Sequence, residues 1–252
     1  MKSLMRTFAV AGLLASFVNF AQAEDSSEPK KPWSVDLSTA FNSDYMFRGF
    51  NLYDGISIQP SVTANFDTGF GTISGNLWMH LSGEGDKQAQ KFTEIDESIT
   101  YSLELEPVTL KTGILWYTYP DGDDDIKDTS EVFASVGLDD SKWLPFALNP
   151  IFSVYEDYRV FDAWYYELGF SHTFECDCLG KGFSTVPYVT FGFASSAESE
   201  YADNGLEHVT IGTSFPLTTG DISVTPTLNY TFKVDDATVN EFWIGTTFGY
   251  SL

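Results

Sequence analysis

The segment Trp33-Ser-Val-Asp-Leu-Ser-Thr-Ala-Phe-Asn-Ser-Asp-Tyr-Met-Phe-Arg48 alternates between apolar and polar side chains. The apolar parity carries Trp33, Val35, Leu37, Phe41, Tyr45 and Phe47. The polar parity carries Ser34, Asp36, Ser38, Asn42, Asp44 and Arg48. Successive side chains of a strand point to opposite faces, so this period of two predicts a β-strand with one apolar and one polar face.

The same alternation recurs down to Leu252, and no segment after residue 23 has a convincing helical period. We count twelve strands, an even number that closed antiparallel bacterial barrels require. The segments Ile151–Asp157 and Val189–Phe193 are weakly patterned, so ten strands is the alternative. Between strands, Lys142–Leu148 is predicted to form a short helix at the inner membrane interface.

Two architectures produce such alternation. In a soluble sandwich or lipocalin-like barrel the apolar faces form the core, whereas in a membrane barrel they face lipid. The large aromatic residues gather near strand ends on the apolar parity, as girdles at the two lipid–water boundaries require. They are Trp33, Phe47, Phe66, Tyr101, Trp116, Trp164, Phe232, Phe242 and Tyr250.

Connection lengths favour the membrane barrel as well. The links at 67–69 and 105–107 are tight, while those at 82–91, 119–129 and 195–206 are longer and polar. Outer-membrane barrels have short periplasmic turns and longer external loops.

The last strand also favours a membrane barrel, because apolar alternation up to Tyr250 and Leu252 is typical of the strand that closes the ring. We therefore predict an all-β fold in which residues 33–252 form a single antiparallel transmembrane barrel.

The N-terminal residues predict export. Lys2 and Arg6 precede an apolar run from Phe8 to Phe20, and Ala21-Gln-Ala23 has the small-x-small pattern of a cleavage site. Residues 1–23 are thus predicted to be a secretory signal peptide and residues 24–32 a polar leader. We expect the barrel-assembly machinery to insert the mature chain into the outer membrane, where it contacts lipid and lipopolysaccharide.

The charge of the chain excludes one class of partner. It has 36 acidic and 13 basic residues, a formal net charge of −23, and removal of Lys2 and Arg6 with the signal peptide brings the charge near −25. Nucleic acid would be repelled, because affinity for it comes from neutralising phosphates. The same balance would bias any pore towards cations.

Four short motifs resemble one protein family. They are Ser43-Asp-Tyr-Met-Phe-Arg-Gly49, Trp78 near a strand end, Glu94-Ile-Asp96 and Tyr117-Thr-Tyr-Pro120. In this order they resemble landmarks of the TorF-type porin family of proteobacterial exported proteins, over most of the mature chain. The resemblance implies a β-barrel acting as a passive channel without a known substrate. The chain departs from the family pattern between Gly49 and Phe70 and around Cys176 and Cys178.

If the apolar faces meet lipid, the opposite parity supplies the candidate pore-lining residues. They are Asp36, Asp44, Arg48, Glu94, Asp96, Lys111, Tyr117, Glu131 and Glu167. A ring of carboxylates in a confined pore selects for cations. Arg48 follows Asp44 by four positions on the same predicted face, so the two could form a local transverse field. The alternative is that these groups pair across strands and merely fill the lumen.

Three functions are compatible with these residues. The first is a passive, cation-leaning channel for small solutes, and the second is a non-conducting barrel that acts as a scaffold or adhesin through its external loops. The third is a barrel hydrolase, for which His80 beside Glu94 or Asp96 could form an acid–base site. His80 and His208 share the inward parity near external strand ends, and His172 lies near an inner end. No serine is marked as a nucleophile by its neighbours, so we predict no catalytic residue.

Two remaining motifs concern metals and redox chemistry. Asp121, Asp123 and Asp125 lie in an acidic loop that either binds a hard cation such as Ca²⁺ or is simply solvated. Cys176 and Cys178 lie in a predicted turn, where they could oxidise with each other, bind a soft metal or have no essential role. There is no phosphate-binding glycine loop and no zinc-ligand spacing, so no cofactor is predicted. The sequence shows no interface patch, so no oligomeric state is predicted.

Overall fold

The computed structural model describes residues 31–83, 92–120, 127–175, 183–196 and 204–252. Strands, turns and loops account for all of these residues. No helix among them is long and apolar enough to cross a bilayer. The predicted signal peptide and most of the predicted leader lie outside the described residues. The other predictions outside them concern Asp121, Asp123, Asp125, Cys176 and Cys178.

The described residues form fourteen strands. They are β1 (Trp33–Phe47), β2 (Phe50–Asp67), β3 (Thr72–Ser82), β4 (Phe92–Leu105), β5 (Val108–Thr118), β6 (Thr129–Leu138), β7 (Ile151–Asp157), β8 (Ala163–Ser171), β9 (Phe174–Glu175), β10 (Ser184–Ser196), β11 (Gly205–Ser214), β12 (Leu217–Thr219), β13 (Ile222–Lys233) and β14 (Glu241–Ser251). β9 and β12 are short additions that pair with β10 and β13. The other twelve strands form the wall of a barrel.

The wall closes on itself. Each wall strand pairs antiparallel with its neighbours in chain order, and β1 pairs with β14. β11 pairs with β13 past the short β12, which completes the ring. β7 and β10, where the pattern is weak, are both wall strands, so the prediction of twelve strands is confirmed and the alternative of ten is wrong. A closed ring is what a β-protein needs in lipid, because it leaves no unpaired strand edge.

The two faces of the wall have opposite polarity. Large apolar side chains point outward, with Phe66 53%, Ile99 55% and Phe242 59% exposed. Many inward-pointing residues are polar, and Asn229 and Thr231 of β13 are 2% and 1% exposed. This arrangement is the reverse of a soluble sandwich, and it confirms the predicted transmembrane barrel with its apolar face towards lipid.

Tyr45 and Phe47 correct the predicted outer face of β1. Both were expected on the lipid-facing parity, and Phe47 in an aromatic girdle, but they are 4% and 3% exposed and lie inside the barrel. Asp44 and Met46, on the other parity of β1, are each 8% exposed, so both faces of this part of the strand are enclosed. The register shifts between Asn42 and Asp44 and between Tyr45 and Met46 place the extra residues on β2, so they bend the hairpin without changing the parity of β1.

The predicted helix at Lys142–Leu148 is also wrong. The N–H groups of Trp143 and Leu144 both bond to the Asp140 carbonyl at 3.0 Å, which is one turn that does not continue. Pro145 has no N–H to extend a helix, and it disfavours helical backbone at the residue before it. The Asp140 carboxylate instead accepts the N–H groups of Leu148 and Asn149 at 2.9 and 3.0 Å.

The up-and-down topology sorts the connections into two sets. The end of the barrel that holds Trp33 and Ser251 is called the terminal end below, and the opposite one the distal end. The tight turns at 68–71 and 106–107 lie at the terminal end, as expected of the periplasmic side. The long connection at 139–150 lies there too. The distal end carries the β1–β2 turn, described next, and the connection between β3 and β4.

Leu37 and Ser38 test the assignment of the two faces. Leu37 is 43% exposed on the outer face, and Ser38 follows it on the inner face. We expect Leu37→Arg to make insertion and folding less favourable by about 2–4 kcal/mol, because the guanidinium would lie in hydrocarbon. Ser38→Arg, the matched control, should cost much less. Reversible folding into lipid vesicles measures both, and equal losses would contradict the assignment.

Candidate functional site

The β1–β2 hairpin extends beyond the rest of the wall. Its last ladder pair with β14 is Asn42 with Gly245, and its last pair with β3 is Ser57 with Ser82. Residues 43–56 between these points form ladder pairs only with one another. This segment, called the inner hairpin below, lies at the distal end. The neighbouring strands bond only to its base, where Ile56 accepts the Gly83 N–H and Ser43 accepts the Ile244 N–H, so the rest of the segment can leave the cylinder.

A two-residue turn forms the tip of the inner hairpin. Phe47 pairs with Phe50, so Arg48 and Gly49 are the loop residues. Their φ angles are 45° and 85°, as a type I′ turn requires at both central positions. Positive φ is uncommon for a residue other than glycine. Arg48 adopts it here because the contacts of its side chain fix the turn.

The tip crosses the lumen to the far wall. A Cβ atom on Gly49 would lie 2.7 Å from the Cβ of His208 on β11, so the backbone of the turn packs directly on that ring. The Gly49 carbonyl also accepts the Val239 N–H, from the β13–β14 connection, at 3.0 Å. β11 is not a neighbour of β1 or β2 in the sheet. The inner hairpin therefore folds into the barrel instead of projecting from it.

Arg48 is bound by the wall opposite its own hairpin. Its two terminal nitrogens donate to the two carboxylate oxygens of Glu131 on β6, at 2.7 and 2.9 Å. Its guanidinium carbon lies 4.5 Å from the ring centre of Tyr155 and 4.3 Å from that of Tyr165. The ring of its neighbour Phe47 lies 4.6 Å away. The two charged side chains are only 11% and 3% exposed, so this ion pair is inside the barrel.

Four wall residues make up this binding arrangement, which we call the arginine box: Tyr117 of β5, Glu131 of β6, Tyr155 of β7 and Tyr165 of β8. The Tyr117 hydroxyl donates to Glu131 at 2.8 Å. Glu167 follows Tyr165 on the inward parity of β8 and lines the small cavity beside the guanidinium. That cavity has a volume of about 20 Å³, roughly the room for one water molecule.

Aromatic side chains fill the distal half of the lumen around the box. The buried cluster consists of Tyr45, Phe47, Leu115, Tyr117, Tyr119, Phe133, Tyr155 and Tyr165. Tyr45 and Phe47 come from the inner hairpin and the others from the wall between β5 and β8. The inner hairpin thus adds two rings to an aromatic layer packed inside the distal lumen.

A second group of acids lies near the box. Glu94 and Asp96 are two residues apart on β4, and Glu94 accepts the Tyr45 hydroxyl at 2.9 Å. Glu94 faces His80 in the β3–β4 register, and Asp96 faces Trp78 and Tyr117. Two carboxylates of one strand thus point into the same aromatic surroundings.

The histidines have ordinary partners. His80 shares a hydrogen bond with Thr93 through Nδ1 at 2.5 Å, and His208 shares one with the Tyr165 hydroxyl through Nε2 at 2.9 Å. His172, at the terminal end, bonds to the Ala147 carbonyl and stacks on Phe146. None of these bonds joins a histidine to a serine. Among the described residues no group of three or more acidic, histidine or cysteine side chains is arranged to hold a metal ion.

The terminal half of the lumen is lined by smaller side chains. The Asp36 carboxylate accepts Asn65 at 2.8 Å and Ser251 at 2.7 Å. Lys111 pairs in register with Ser102 and Ser135 and is only partly buried. Asp36 and Lys111 are partly buried, whereas Glu94 and Glu131 of the distal half are 1% and 2% exposed.

The predicted pore-lining residues therefore fall into separate places. Arg48, Tyr117, Glu131 and Glu167 come together at the arginine box, with Glu94 and Asp96 nearby. Asp36 and Lys111 lie in the terminal half. The Asp44 carboxylate accepts hydrogen bonds from Ser43 and Asn51 of its own hairpin, whereas the Arg48 guanidinium binds Glu131.

Sequence reasoning identified Tyr117 but missed the other aromatic residues of the site. Tyr155 and Tyr165 occupy inward positions that the period of two could have identified from their strands. Tyr45 gave no such signal, because it lies on the apolar parity of β1 and is buried only through the folding of the hairpin into the barrel.

Two glycines with the same backbone test how firmly the tip is held. Gly49 and Gly69 have φ of 85° and 82°, but only Gly49 has a neighbour where a Cβ would lie. Alanine at either position should cost about 1–2 kcal/mol of backbone strain. We expect Gly49→Ala to accelerate amide hydrogen exchange throughout 43–56, because the methyl group also clashes with His208. Gly69→Ala should affect only its own turn, and unchanged exchange in Gly49→Ala would contradict the packing described.

Solved structures similar to the chain are barrels of the outer membrane. The outer membrane channel from Pseudomonas putida F1 is 9% identical with a TM-score of 0.55, and the match covers 91% of this chain and 99% of that chain. LpxR from Salmonella typhimurium is 11% identical with a TM-score of 0.55, covering 86% of this chain and 99% of that chain. At these identities the likeness shows the fold alone.

Comparison by sequence gives the family. A search of the curated proteins finds no match. The model of the Gcw_chp family, described as bacterial protein of unknown function, matches residues 26–248. This range includes the inner hairpin and every residue of the arginine box. The chain belongs to the Gcw_chp family of outer-membrane β-barrel fold.

Proposed function

We propose that the protein is a passive, cation-leaning channel of the outer membrane whose distal half is closed by the inner hairpin. The observation that carries the proposal is the charge inside the barrel. Glu94, Asp96, Glu131 and Glu167 point into the distal lumen, where Arg48 is the one basic side chain among the described residues. An excess of carboxylates in a confined, low-dielectric passage attracts cations and repels anions.

Passage through the lumen requires the inner hairpin to move. Its contacts with the wall include the Arg48–Glu131 ion pair, the Tyr45–Glu94 and Gly49–Val239 hydrogen bonds and the aromatic packing. At its base the Ile56 carbonyl accepts the Gly83 N–H and the Ser43 hydroxyl accepts the Ile244 N–H. The ladders of β1 with β14 and of β2 with β3 end below it. The inner hairpin can therefore swing out while the twelve-stranded wall stays closed.

The proposal includes the cellular setting expected from the sequence. Export through a cleaved signal peptide, insertion by the barrel-assembly machinery and contact with lipopolysaccharide agree with the outer-membrane fold. The resemblance to TorF-type porins implies the same passive transport. Small cationic solutes are the substrates that the lumen charge favours.

The packed distal lumen also favours a second candidate, a non-conducting barrel that acts as a scaffold or adhesin through its distal loops. In that case the inner hairpin would be a permanent part of the core. A hydrolase gains no support, because the described hydrogen bonds of His80 and His208 go to threonine and tyrosine hydroxyls.

Two double variants test the selectivity. Glu94→Gln with Asp96→Asn removes two charges from the lumen, and we expect the ratio of K⁺ to Cl⁻ permeability to fall by about twofold or more. The control, Glu97→Gln with Glu156→Gln, removes two charges from the outer face of β4 and β7. Reversal potentials in a KCl gradient measure the ratio. Equal values for the two double variants would contradict a lumenal role for the acids.

Glu131→Gln tests closure by the inner hairpin. Removing one partner of a buried ion pair costs about 3–5 kcal/mol, because the remaining charge is left unpaired. We expect the inner hairpin to leave the lumen and the open probability in single-channel records to rise at least about tenfold. Glu156→Gln, on the outer face of the adjacent strand, should leave it unchanged. A silent Glu131→Gln barrel that is folded and inserted would favour the scaffold.

A further inference from the structure

Arg48 shows what the arginine box binds. A planar guanidinium lies with its edge on the Glu131 carboxylate and its centre within 4.3–4.6 Å of three aromatic ring centres. Bidentate hydrogen bonds to a carboxylate are among the strong charge-assisted interactions. Cation–π contacts become stronger when the cation is removed from water. The box is therefore a complete binding site for a cation, occupied by the protein's own side chain.

The occupant and the box belong to different parts of the molecule. Tyr117, Glu131, Tyr155 and Tyr165 lie on β5 to β8 of the closed wall, whereas Arg48 lies on the inner hairpin. When the inner hairpin leaves the lumen, it takes Arg48 and Phe47 with it. The Glu131 carboxylate, the Tyr117 hydroxyl and two of the three rings that face the guanidinium stay in place.

The box keeps its shape without Arg48. The Tyr117 hydroxyl fixes one Glu131 oxygen at 2.8 Å, and the Tyr165 hydroxyl is held by His208 at 2.9 Å. Tyr155 stacks on Phe133 with ring centres 5.7 Å apart. Side chains held by neighbours of the wall are preorganised, so a ligand that replaces Arg48 does not have to order them.

We propose that the arginine box is a recognition site for solutes that carry a guanidinium group, and that Arg48 is their built-in competitor. This inference rests on the proposed channel function and names the class of cation that the channel recognises. A guanidinium matches the carboxylate edge and the ring faces at once, which the compact, strongly hydrated ammonium of a lysine-like solute does not.

Competition for the box also couples binding to opening. The external ligand can occupy the box only when Arg48 is out of it, so it binds the state in which the inner hairpin is displaced. A ligand that binds one of two states shifts the population towards that state. Guanidinium solutes should therefore raise the open probability of the channel with a saturable dependence on concentration.

Arg48→Gly removes the side chain that occupies the arginine box, so that binding of a free cation to the box can be measured directly. Glycine suits the φ of 45° at this position, so the turn is kept while the side chain is removed. We expect isothermal titration calorimetry on the refolded barrel to show binding of methylguanidinium to Arg48→Gly. Methylammonium should bind roughly tenfold more weakly or worse, since it lacks the bidentate geometry.

Two controls identify the site. Arg48→Gly with Glu131→Gln should lose the binding of methylguanidinium by roughly tenfold or more, because the carboxylate is gone. Wild-type protein should bind it more weakly than Arg48→Gly, because Arg48 competes. Equal binding by all three proteins, or by none, would overturn the inference. Arg48→Asn, which also suits the first position of a type I′ turn, replaces Arg48→Gly should that variant not refold.

A second measurement uses the wild-type protein, and it separates this inference from the channel function. We expect millimolar methylguanidinium, but not methylammonium, to speed hydrogen exchange in residues 43–56. Equal effects of the two cations would overturn competition for the box. Methylguanidinium binding by a barrel that never conducts would disprove the channel alone, and a conducting Arg48→Gly barrel without such binding would disprove the recognition site alone.

Discussion

A strand that crosses lipid must find hydrogen-bond partners along both edges, because the hydrocarbon core offers none. Here that constraint is met by pairing β14 with β1 and β13 with β11, which turns twelve strands into a closed ring. Closure decides the chemistry of both faces. Apolar side chains can face lipid on every strand, and the polar parity of all strands converges on one enclosed lumen. The functional groups are therefore those of the inner face.

The same constraint explains why the inner hairpin lies inside. Beyond Asn42 and Ser57 the ladders with neighbouring strands end, so the outer edges of residues 43–56 no longer continue the wall. Inside the lumen, Tyr45, Phe47 and Arg48 meet aromatic rings and carboxylates of the opposite wall. Burying an ion pair is costly, and the cost is offset only where geometry is good and further hydrogen bonds are made. The Arg48–Glu131 pair meets both conditions through its bidentate contact and the hydroxyl of Tyr117.

Much of the wall could be predicted from the sequence, since a strand with one face in lipid and one in a polar lumen shows the period of two directly. That pattern also indicated the inward positions of Glu94, Glu131 and Glu167. It failed at Tyr45 and Phe47, because their segment leaves the wall and both of its faces are enclosed in the lumen. The prediction of a helix at Lys142–Leu148 also failed. Pro145 interrupts helical backbone, and the Asp140 carboxylate binds the Leu148 N–H instead.

The assembly of the arginine box could not be predicted from the sequence. Arg48 and Glu131 are 83 residues apart, and their strands are not neighbours. The inner hairpin has the alternation of an ordinary strand pair, so nothing in residues 43–56 indicates that they leave the wall. The residues were identifiable as inward groups, but their contact depends on a fold in the hairpin that only the tertiary structure reveals.

Single-channel recording of the wild-type barrel in a planar bilayer under a KCl gradient tests the central claim most directly. If the inner hairpin closes a cation-leaning channel, the record will show discrete openings separated by long closed intervals, with a cation-selective reversal potential. A barrel shown to be folded and inserted that stays silent, and remains silent when residues 43–56 are replaced by a short turn, would contradict the account.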